Sequence, residues 1–255
     1  MEKKRYISYS IWGTQPIYLA GILKNIERAK DIYPGWKMIV YYDNSVPEDC
    51  IQKINSSGVQ AINATSSIHG SFWRFYAADL PDCEYVIFRD ADSRLSKREM
   101  LAVNEWIASG KTLHIMRDHP AHEIPFGATH TAVMAGMWGI KGRVVPMEKM
   151  IKEFSEPEKQ EYGIDQKFLE KIDDMFKGDA LVHDEFFGGL PFPGKRENFS
   201  FIGERIDEHD QPSGNDRLAL EKYYLERDPY KKMTRRLASS FRVVARLLKK
   251  IFKKA

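Results

Sequence analysis

The chain has 255 residues, 43% of them apolar and 12% aromatic, a size that allows one large α/β domain with a buried core. No run of about 18 apolar residues occurs, so we expect no membrane-spanning helix. The net charge of +3 is unevenly distributed along the chain. Residues 231–255 carry ten basic and no acidic side chains, whereas residues 1–230 carry 29 basic and 36 acidic ones.

Strands and helices alternate along much of the chain. Apolar runs and helical spacing predict, in chain order, a strand at residues 6–11, a helix at 18–29, a strand at 38–42, a short helix at 47–56, a strand at 59–62, a helix at 71–80, a strand at 85–88, a helix at 97–108, a strand at 112–116, a helix at 162–176 and a strand at 180–183. Glycines in residues 118–142 predict loops and irregular sheet, and residues 186–215 form a long connection rich in Gly, Pro and Asn. The alternation favours a mostly parallel sheet flanked by helices.

Two carboxylates follow the strand predicted at residues 85–88. Asp90 and Asp92 are spaced i, i+2 directly after this buried run. Ligands of α/β sheets bind beyond the carboxyl ends of strands, and paired carboxylates there suit a hard divalent cation that also holds substrate phosphates. The segment therefore predicts metal-assisted chemistry on a phosphorylated substrate. The alternative is a solvated turn capped by an Asp side chain.

Further motifs stand in a fixed order around this pair. They are Trp73-Arg74-Phe75, Asp90-Ala91-Asp92, Gly136-Met137-Trp138-Gly139, Tyr162-Gly163-Ile164-Asp165-Gln166, Ala180-Leu181-Val182-His183 and Phe201-Ile202-Gly203-Glu204. Over about residues 5–210 this layout resembles the nucleotide-sugar glycosyltransferases of the GT-A fold, among them bacterial capsule and O-antigen polysaccharide transferases. The resemblance implies a Rossmann-like GT-A catalytic domain over residues 1–228. Its implied activity is sugar transfer of the hexosyltransferase type, from a nucleotide-diphosphate donor such as a UDP-sugar to a saccharide acceptor.

For the metal, the resemblance implies Mn²⁺ or Mg²⁺, which would neutralise the diphosphate leaving group as a Lewis acid. Asp92 would be a direct ligand, and Asp90 would reach the metal or the donor ribose. His183 would complete the coordination shell, since imidazole also suits Mn²⁺. Alternatively, His183 is a partly buried histidine at the end of its strand, and Asp184 or Glu185 is the ligand.

Candidate donor contacts lie at the ends of the first strands and in the helix before the metal strand. The resemblance implies that Arg74 touches the nucleotide or clamps the carboxylate pair, and that Ser10 and Trp12 hold the base and ribose. Asp43 is a plausible partner for a base edge or a ribose hydroxyl. The alternatives are a surface ion pair for Arg74 and a turn-forming role for Asp43.

Candidate catalytic residues are Asp165 and Glu204, with Asp207 as a further possibility. Inversion at the sugar needs a general base on the acceptor hydroxyl. Retention needs no such base, and Asp165 would then position the substrate or stabilise charge. The sequence leaves both outcomes open, with a slight preference for retention. Asp165 could instead be an N-cap of its helix, and Trp138 could be an apolar platform for a sugar or ordinary core.

Residues 229–255 predict a separate C-terminal amphipathic helix. On a helical wheel its apolar residues cluster on one side and its Lys and Arg residues on the other. Anionic lipid attracts such segments, so we expect residues 231–255 to bind a membrane surface and to bring the active site to a lipid-linked saccharide acceptor. With only two cysteines in the chain, this indicates a cytoplasmic protein on the inner face of the cell membrane. The acidic body and the lack of an RNA motif argue against nucleic acid as a partner.

Three other functions remain as alternatives. A phosphatase of the haloacid-dehalogenase type also uses Asp-x-Asp after an apolar strand, with the first Asp as nucleophile. Its motif usually lies on the first strand, whereas here the pair comes about 90 residues into the chain and Ser93-Arg94 follows it. A nucleotidyltransferase on a similar sheet is the second alternative. A non-catalytic membrane-bound scaffold is the third.

Overall fold

Seven strands form one mixed sheet in the computed structural model, which describes residues 2–122, 133–155 and 163–227. They are β1 (Lys4–Ile11), β2 (Lys37–Tyr42), β3 (Gln60–Asn63), β4 (Cys83–Arg89), β5 (Leu113–Arg117), β6 (Met137–Lys141) and β7 (Ala180–Asp184). Their order in the sheet is β3-β2-β1-β4-β6-β5-β7. All neighbours are parallel except that β6 runs antiparallel to both β4 and β5. The predicted α/β fold with a mostly parallel sheet is confirmed.

Strand β6 is the element that sequence patterning missed. It lies in the glycine-containing stretch that predicts loops and irregular sheet, but its Trp138 and Ile140 are completely buried. Gly139 is needed there because a Cβ at this position would come within 2.9 Å of the Val86 carbonyl oxygen on β4. A glycine that normally weakens a strand therefore allows β6 to pack closely in this sheet.

Helices cover both faces of the sheet. Those that do so are α1 (Pro16–Ile32), α2 (Glu48–Ser56), α3 (Lys97–Ser109), α4 (Met147–Ser155), α5 (Ile164–Phe176) and a long 3₁₀ helix, Gly70–Asp79. The described residues also include a short 3₁₀ helix, Pro120–His122, and the helix α6 (Asp216–Arg227). Helices α1, α2 and α3 contribute to the core on one face, together with Ile7 and Ile87 of the sheet. The 3₁₀ helix Gly70–Asp79, α4 and α5 contribute to the core on the other face, where Val86 and Phe88 point. The result is three layers, helix on sheet on helix.

The long 3₁₀ helix replaces the helix predicted at residues 71–80. In 3₁₀ geometry residues i and i+3 lie on the same side. Phe72 and Phe75 are both completely buried in the core, and Ser71 and Arg74 both line the cavity described below. Because the helix has three residues per turn, Phe72 and Phe75 enter the core, whereas Ser71 and Arg74 face the cavity.

The chain divides into one compact unit, Met1–Gly214, and a second unit that begins at Asn215 and contains α6. Among the described residues, no helix is both long and apolar enough to cross a bilayer. The membrane-binding segment predicted at residues 231–255 lies outside the described residues, so it stays a prediction.

Candidate active site

A cavity of about 170 Å³ lies at the carboxyl ends of β1 and β4. It is lined by Ser10, Ile11, Trp12, Tyr18, His69, Ser71, Arg74, Asp90, Ala91, Asp92, Ala135, Gly163, Asp165 and Gln166. From β1 the chain continues to β2 and β3 on one side of the sheet, and then returns to β4 on the other side of β1. The cavity therefore lies at a point where the strand order reverses, which is the usual ligand position in open α/β sheets.

The predicted carboxylate pair lies on this cavity. The Asp90 side chain is 46% exposed and the Asp92 side chain 18%. Burial, and then repulsion by Asp90, raise the pKa of Asp92 to about 6, while Arg205 acts in the opposite direction. Two neighbouring carboxylates that repel each other beside a cavity fit a divalent cation, which would neutralise both.

Arg74 connects this pair to a third carboxylate. Its buried guanidinium donates to the Asp90 carboxylate through Nη1 and to Asp165 Oδ2 through Nη2, the latter at 3.2 Å. Its backbone is fixed from β1, since the N–H donates to Ser10 Oγ at 2.7 Å and the carbonyl accepts from Ser8 Oγ at 2.6 Å. The single guanidinium of Arg74 therefore binds two carboxylates, Asp90 at the end of β4 and Asp165 at the start of α5.

Asp165 is the second residue of α5 and not its N-cap. The N-cap is Gly163, which has a φ of 87° and has no side chain that could accept a capping hydrogen bond. The Asp165 side chain instead turns to Arg74 and is 7% exposed. Burial raises the pKa of Asp165, and Arg74 opposes this shift.

The predicted donor contacts divide between the cavity and its surroundings. Ser10 and Trp12 line the cavity, but Ser10 Oγ already accepts the Arg74 N–H. Trp12 is 39% exposed and its ring packs edge-on against His69, with 5.5 Å between centroids. Asp43 does not line the cavity; its carboxylate accepts the N–H of Ser45 at 3.0 Å, as expected of a turn former.

The structure does not bring His183 to the carboxylate pair. Its Nδ1 lies 2.8 Å from His114 Nε2, and its Nε2 lies 3.1 Å from Glu105 Oε2, so both ring nitrogens are engaged. The reason is strand order: β6 and β5 separate β7 from β4, and three strand spacings amount to about 14 Å. Within residues 2–122, 133–155 and 163–227, no group of three or more His, Cys, Asp or Glu side chains is arranged to hold a metal.

The alternative ligands near His183 are also engaged. Asp184 pairs with Arg117 at 2.9 Å, and Glu185 pairs with Arg98 at 2.5 Å. Any metal on the cavity would therefore be held by Asp90 and Asp92, with the remaining positions left to water and substrate oxygens. Such a ligand set fits Mg²⁺ or Mn²⁺, which commonly bind one or two carboxylates plus phosphates.

The Phe201–Glu204 motif leads to a residue that sequence analysis did not select. Glu204 is buried and does not line the cavity, whereas the next residue, Arg205, places its Nε 3.3 Å from Asp92 Oδ2. Asp207 accepts the backbone N–H groups of His209 and Gln211 and so stabilises a turn. A cationic residue in an irregular connection has no sequence signal that would connect it to Asp92.

Two residues of the glycine-rich motif serve the site indirectly. A Cβ on Gly136 would overlap the Asp90 carboxylate, so this glycine makes room for the side chain of a candidate ligand. Trp138 is completely buried and packs on Phe88, with ring centroids 4.3 Å apart. Trp138 is therefore core, as the alternative interpretation had it, and is not an exposed platform for a sugar.

Comparisons with known proteins give only distant likenesses. No protein-family model matches the chain, and no curated protein matches it. A 4-diphosphocytidyl-2C-methyl-D-erythritol synthase from Anaerococcus prevotii is 13% identical, with a TM-score of 0.45 over 72% of this chain and 90% of that one. A glycosyltransferase involved in glycosylation of the major capsid of PBCV-1 is 17% identical, with a TM-score of 0.44 over 71% and 81%. A Pyrobaculum calidifontis mannosyltransferase in complex with GDP-Man and Mn²⁺ is 11% identical, with a TM-score of 0.49 over 72% and 56%. Likenesses this distant say nothing about the chemistry of this chain.

Proposed function

We propose that the chain is a metal-dependent glycosyltransferase that moves a sugar from a nucleotide-diphosphate donor to a saccharide acceptor. One observation carries this proposal: Asp90, Asp92 and Asp165 surround a single cavity at the reversal point of the sheet, and buried Arg74 joins two of them. Carboxylates in such a place serve a cation and an electron-poor reaction centre.

Asp90 and Asp92 are the residues that would hold Mn²⁺ or Mg²⁺. When bound, the cation would supply Lewis-acid stabilisation of the diphosphate leaving group. Gly136 leaves room for the Asp90 carboxylate and Arg74 donates to it, so this ligand needs little rearrangement. In the same cavity, the exposed ring of Trp12 offers an apolar surface to the base of a donor such as a UDP-sugar.

Asp165 is the candidate catalytic carboxylate. Burial raises the pKa of its carboxyl group, and the contact with Arg74 opposes this shift. Because Arg74 already occupies Oδ2, we assign Asp165 the role of positioning the substrate and stabilising positive charge at the anomeric carbon, and not that of a base on the acceptor. This arrangement favours retention of configuration. We assign no catalytic role to Glu204.

The acceptor side of the proposal rests on the C-terminal sequence. Residues 231–255 bind anionic lipid and bring the cavity to a lipid-linked saccharide at the inner face of the cell membrane. The corresponding biological role is the synthesis of a bacterial surface polysaccharide.

The decisive experiment is incubation of the full chain with a panel of sugar nucleotides and Mn²⁺, with and without EDTA. Asp92→Asn tests the metal ligand. The control is Asp49→Asn, which removes an exposed carboxylate on α2 that pairs with surface Lys53. Nucleotide release that needs both a sugar donor and Mn²⁺, and that is lost in Asp92→Asn alone, supports the proposal. Phosphate release from small phosphoesters would indicate a phosphatase, and sugar-nucleotide formation from a nucleoside triphosphate would indicate a nucleotidyltransferase.

A further inference from the structure

Arg205 lies beside Asp92, one of the two candidate metal ligands. Its Nε lies 3.3 Å from Asp92 Oδ2, and its side chain is 52% exposed, against 18% for Asp92. The two residues are far apart in the sequence, and they meet because the segment after β7 returns to the end of β4. Among the described residues, Arg205 is the only cation within ion-pair distance of the Asp92 carboxylate.

The backbone around Arg205 is fixed on both sides. The N–H of Ile206 donates to the carbonyl oxygen of Asp92 at 2.7 Å, and the N–H of Ser213 donates to the carbonyl oxygen of Arg205 at 2.8 Å. Ile206 itself is buried and forms a β-bridge with Pro212. The segment therefore holds the Cα of Arg205 beside Asp92, and the half-exposed side chain is the part that is free to exchange partners.

A divalent cation and the Arg205 guanidinium would use the same carboxylate. Arg74 cannot replace Arg205, because its guanidinium is already shared between Asp90 and Asp165. When a metal binds Asp92, two positive groups meet at one acceptor and repel each other. The guanidinium must then leave, and its planar donors match the oxygens of a phosphate as well as those of a carboxylate.

We propose that Arg205 is a built-in counter-ion of Asp92, which a divalent cation displaces and which then binds the diphosphate of the donor. This inference rests on the proposed function, because it assumes a nucleotide-diphosphate ligand. Its consequence is cooperative binding: the cation alone binds weakly because it must displace Arg205, and the diphosphate gives the displaced guanidinium a new partner.

The test is calorimetric titration of the full chain with Mn²⁺ alone, and with UDP at saturating Mn²⁺. Arg205→Gln removes the counter-ion, and Arg205→Lys keeps the charge without the planar fork. The matched control is Arg5→Gln. Arg5 forms a similarly exposed pair with Glu84, 3.4 Å from Nε to Oε2, at the amino end of β1. Circular dichroism of each variant checks the fold.

We expect opposite effects from the one substitution. Arg205→Gln binds Mn²⁺ alone about three- to fivefold more tightly than the wild type, as the loss of a partly exposed competing pair allows. The same variant binds UDP with Mn²⁺ about tenfold more weakly, because a charge-assisted bond to phosphate is lost. Arg205→Lys lies between, and Arg5→Gln matches the wild type in both titrations.

The outcomes separate this inference from the proposed function. Unchanged Mn²⁺ affinity in Arg205→Gln overturns the counter-ion role, even if the wild type binds UDP with Mn²⁺. Tighter Mn²⁺ binding with unchanged UDP binding overturns the diphosphate role. If the wild type binds Mn²⁺ but no nucleoside diphosphate, the proposed function fails, and the Mn²⁺ titration still decides whether Arg205 competes with the metal. If neither the wild type nor Arg205→Gln binds Mn²⁺, the proposed function and the role of Arg205 are both wrong.

Discussion

The first prediction concerns the buried ion pair that supports the end of β4, and its test is the removal of Glu99. Arg89 is the last residue of β4 and directly precedes Asp90. Its Nε donates to Glu99 Oε1 at 2.5 Å, and both side chains are 2% exposed. The Tyr33 hydroxyl donates to the same Glu99 oxygen at 3.1 Å. The substitution Glu99→Ala therefore removes the carboxylate partner of the buried Arg89 guanidinium and the acceptor of the buried Tyr33 hydroxyl.

The expected loss of unfolding free energy follows from these two stranded groups. Breaking a buried ion pair by removing one partner costs about 3–5 kcal/mol, and an unsatisfied hydroxyl such as that of Tyr33 adds about 1 kcal/mol. The total of about 4–6 kcal/mol is a large share of the roughly 5–15 kcal/mol that stabilises a typical domain. Urea denaturation followed by far-UV circular dichroism measures the loss.

The double variant Arg89→Met with Glu99→Leu is the control. It removes both charges and fills the space with apolar atoms, so we expect it to be more stable than Glu99→Ala alone. A loss below about 1 kcal/mol in Glu99→Ala would refute the reasoning. So would a double variant whose loss equals the sum of the losses measured for Arg89→Met and Glu99→Leu singly, because the residues would then not be coupled.

Three further outcomes are expected. Gly136→Ala displaces the Asp90 carboxylate and lowers sugar transfer at least tenfold with little loss of stability, as measured by donor turnover and thermal melting. Burial lowers the pKa of His122 to about 3, so folded His122 stays neutral while the unfolded chain takes up a proton below pH 6.5. His122 should therefore contribute a fall in unfolding free energy of up to about 1.4 kcal/mol per pH unit from pH 6.5 to pH 5. His122→Asn, which keeps an acceptor for the Asp118 N–H, should reduce that slope in urea titrations at several pH values. Deleting residues 231–255 should abolish sedimentation with anionic vesicles, because each basic residue contributes about 1 kcal/mol of attraction.

Each of these outcomes has a control. Gly178→Ala adds the same methyl group where no atom lies within 4 Å, so it should keep full turnover, and an equal loss there would remove the case for Gly136. Equal pH slopes in the wild type and His122→Asn would show that another group dominates. Vesicles of neutral lipid should bind neither form of the chain, and continued sedimentation of the shortened chain with anionic vesicles would contradict the membrane role of its C-terminal segment.

The sequence predicted most of the fold because the strands carry unambiguous patterns. β1, β2, β4, β5 and β7 all lie where apolar runs predict them. The failures have a local physical cause. β6 contains a glycine that makes close packing possible, and such a glycine has the same sequence appearance as one that breaks a strand. Helix α4 was also missed, although its apolar residues join the core.

Whether a candidate residue lines the cavity can be predicted where its position along one strand is sufficient, and cannot be predicted where strand order matters. Asp90, Asp92 and Ser10 follow or end strands next to the reversal point, so they reach the cavity wherever the outer strands lie. His183 also ends a strand, but β7 is at the edge of the sheet, and no residue pattern reveals that placement. Arg205 was missed for a related reason, since only the returning backbone of an irregular segment brings it to Asp92.

The 3₁₀ helix Gly70–Asp79 has a consequence for how this chain can vary. With about three residues per turn, adding or deleting one residue rotates every later side chain by about 120°. A deletion just before Arg74 would offer Phe75 to the cavity and turn the guanidinium elsewhere, whereas many single replacements along the segment would leave its two faces as they are. In natural variants, this stretch should therefore tolerate changes of composition far better than changes of length.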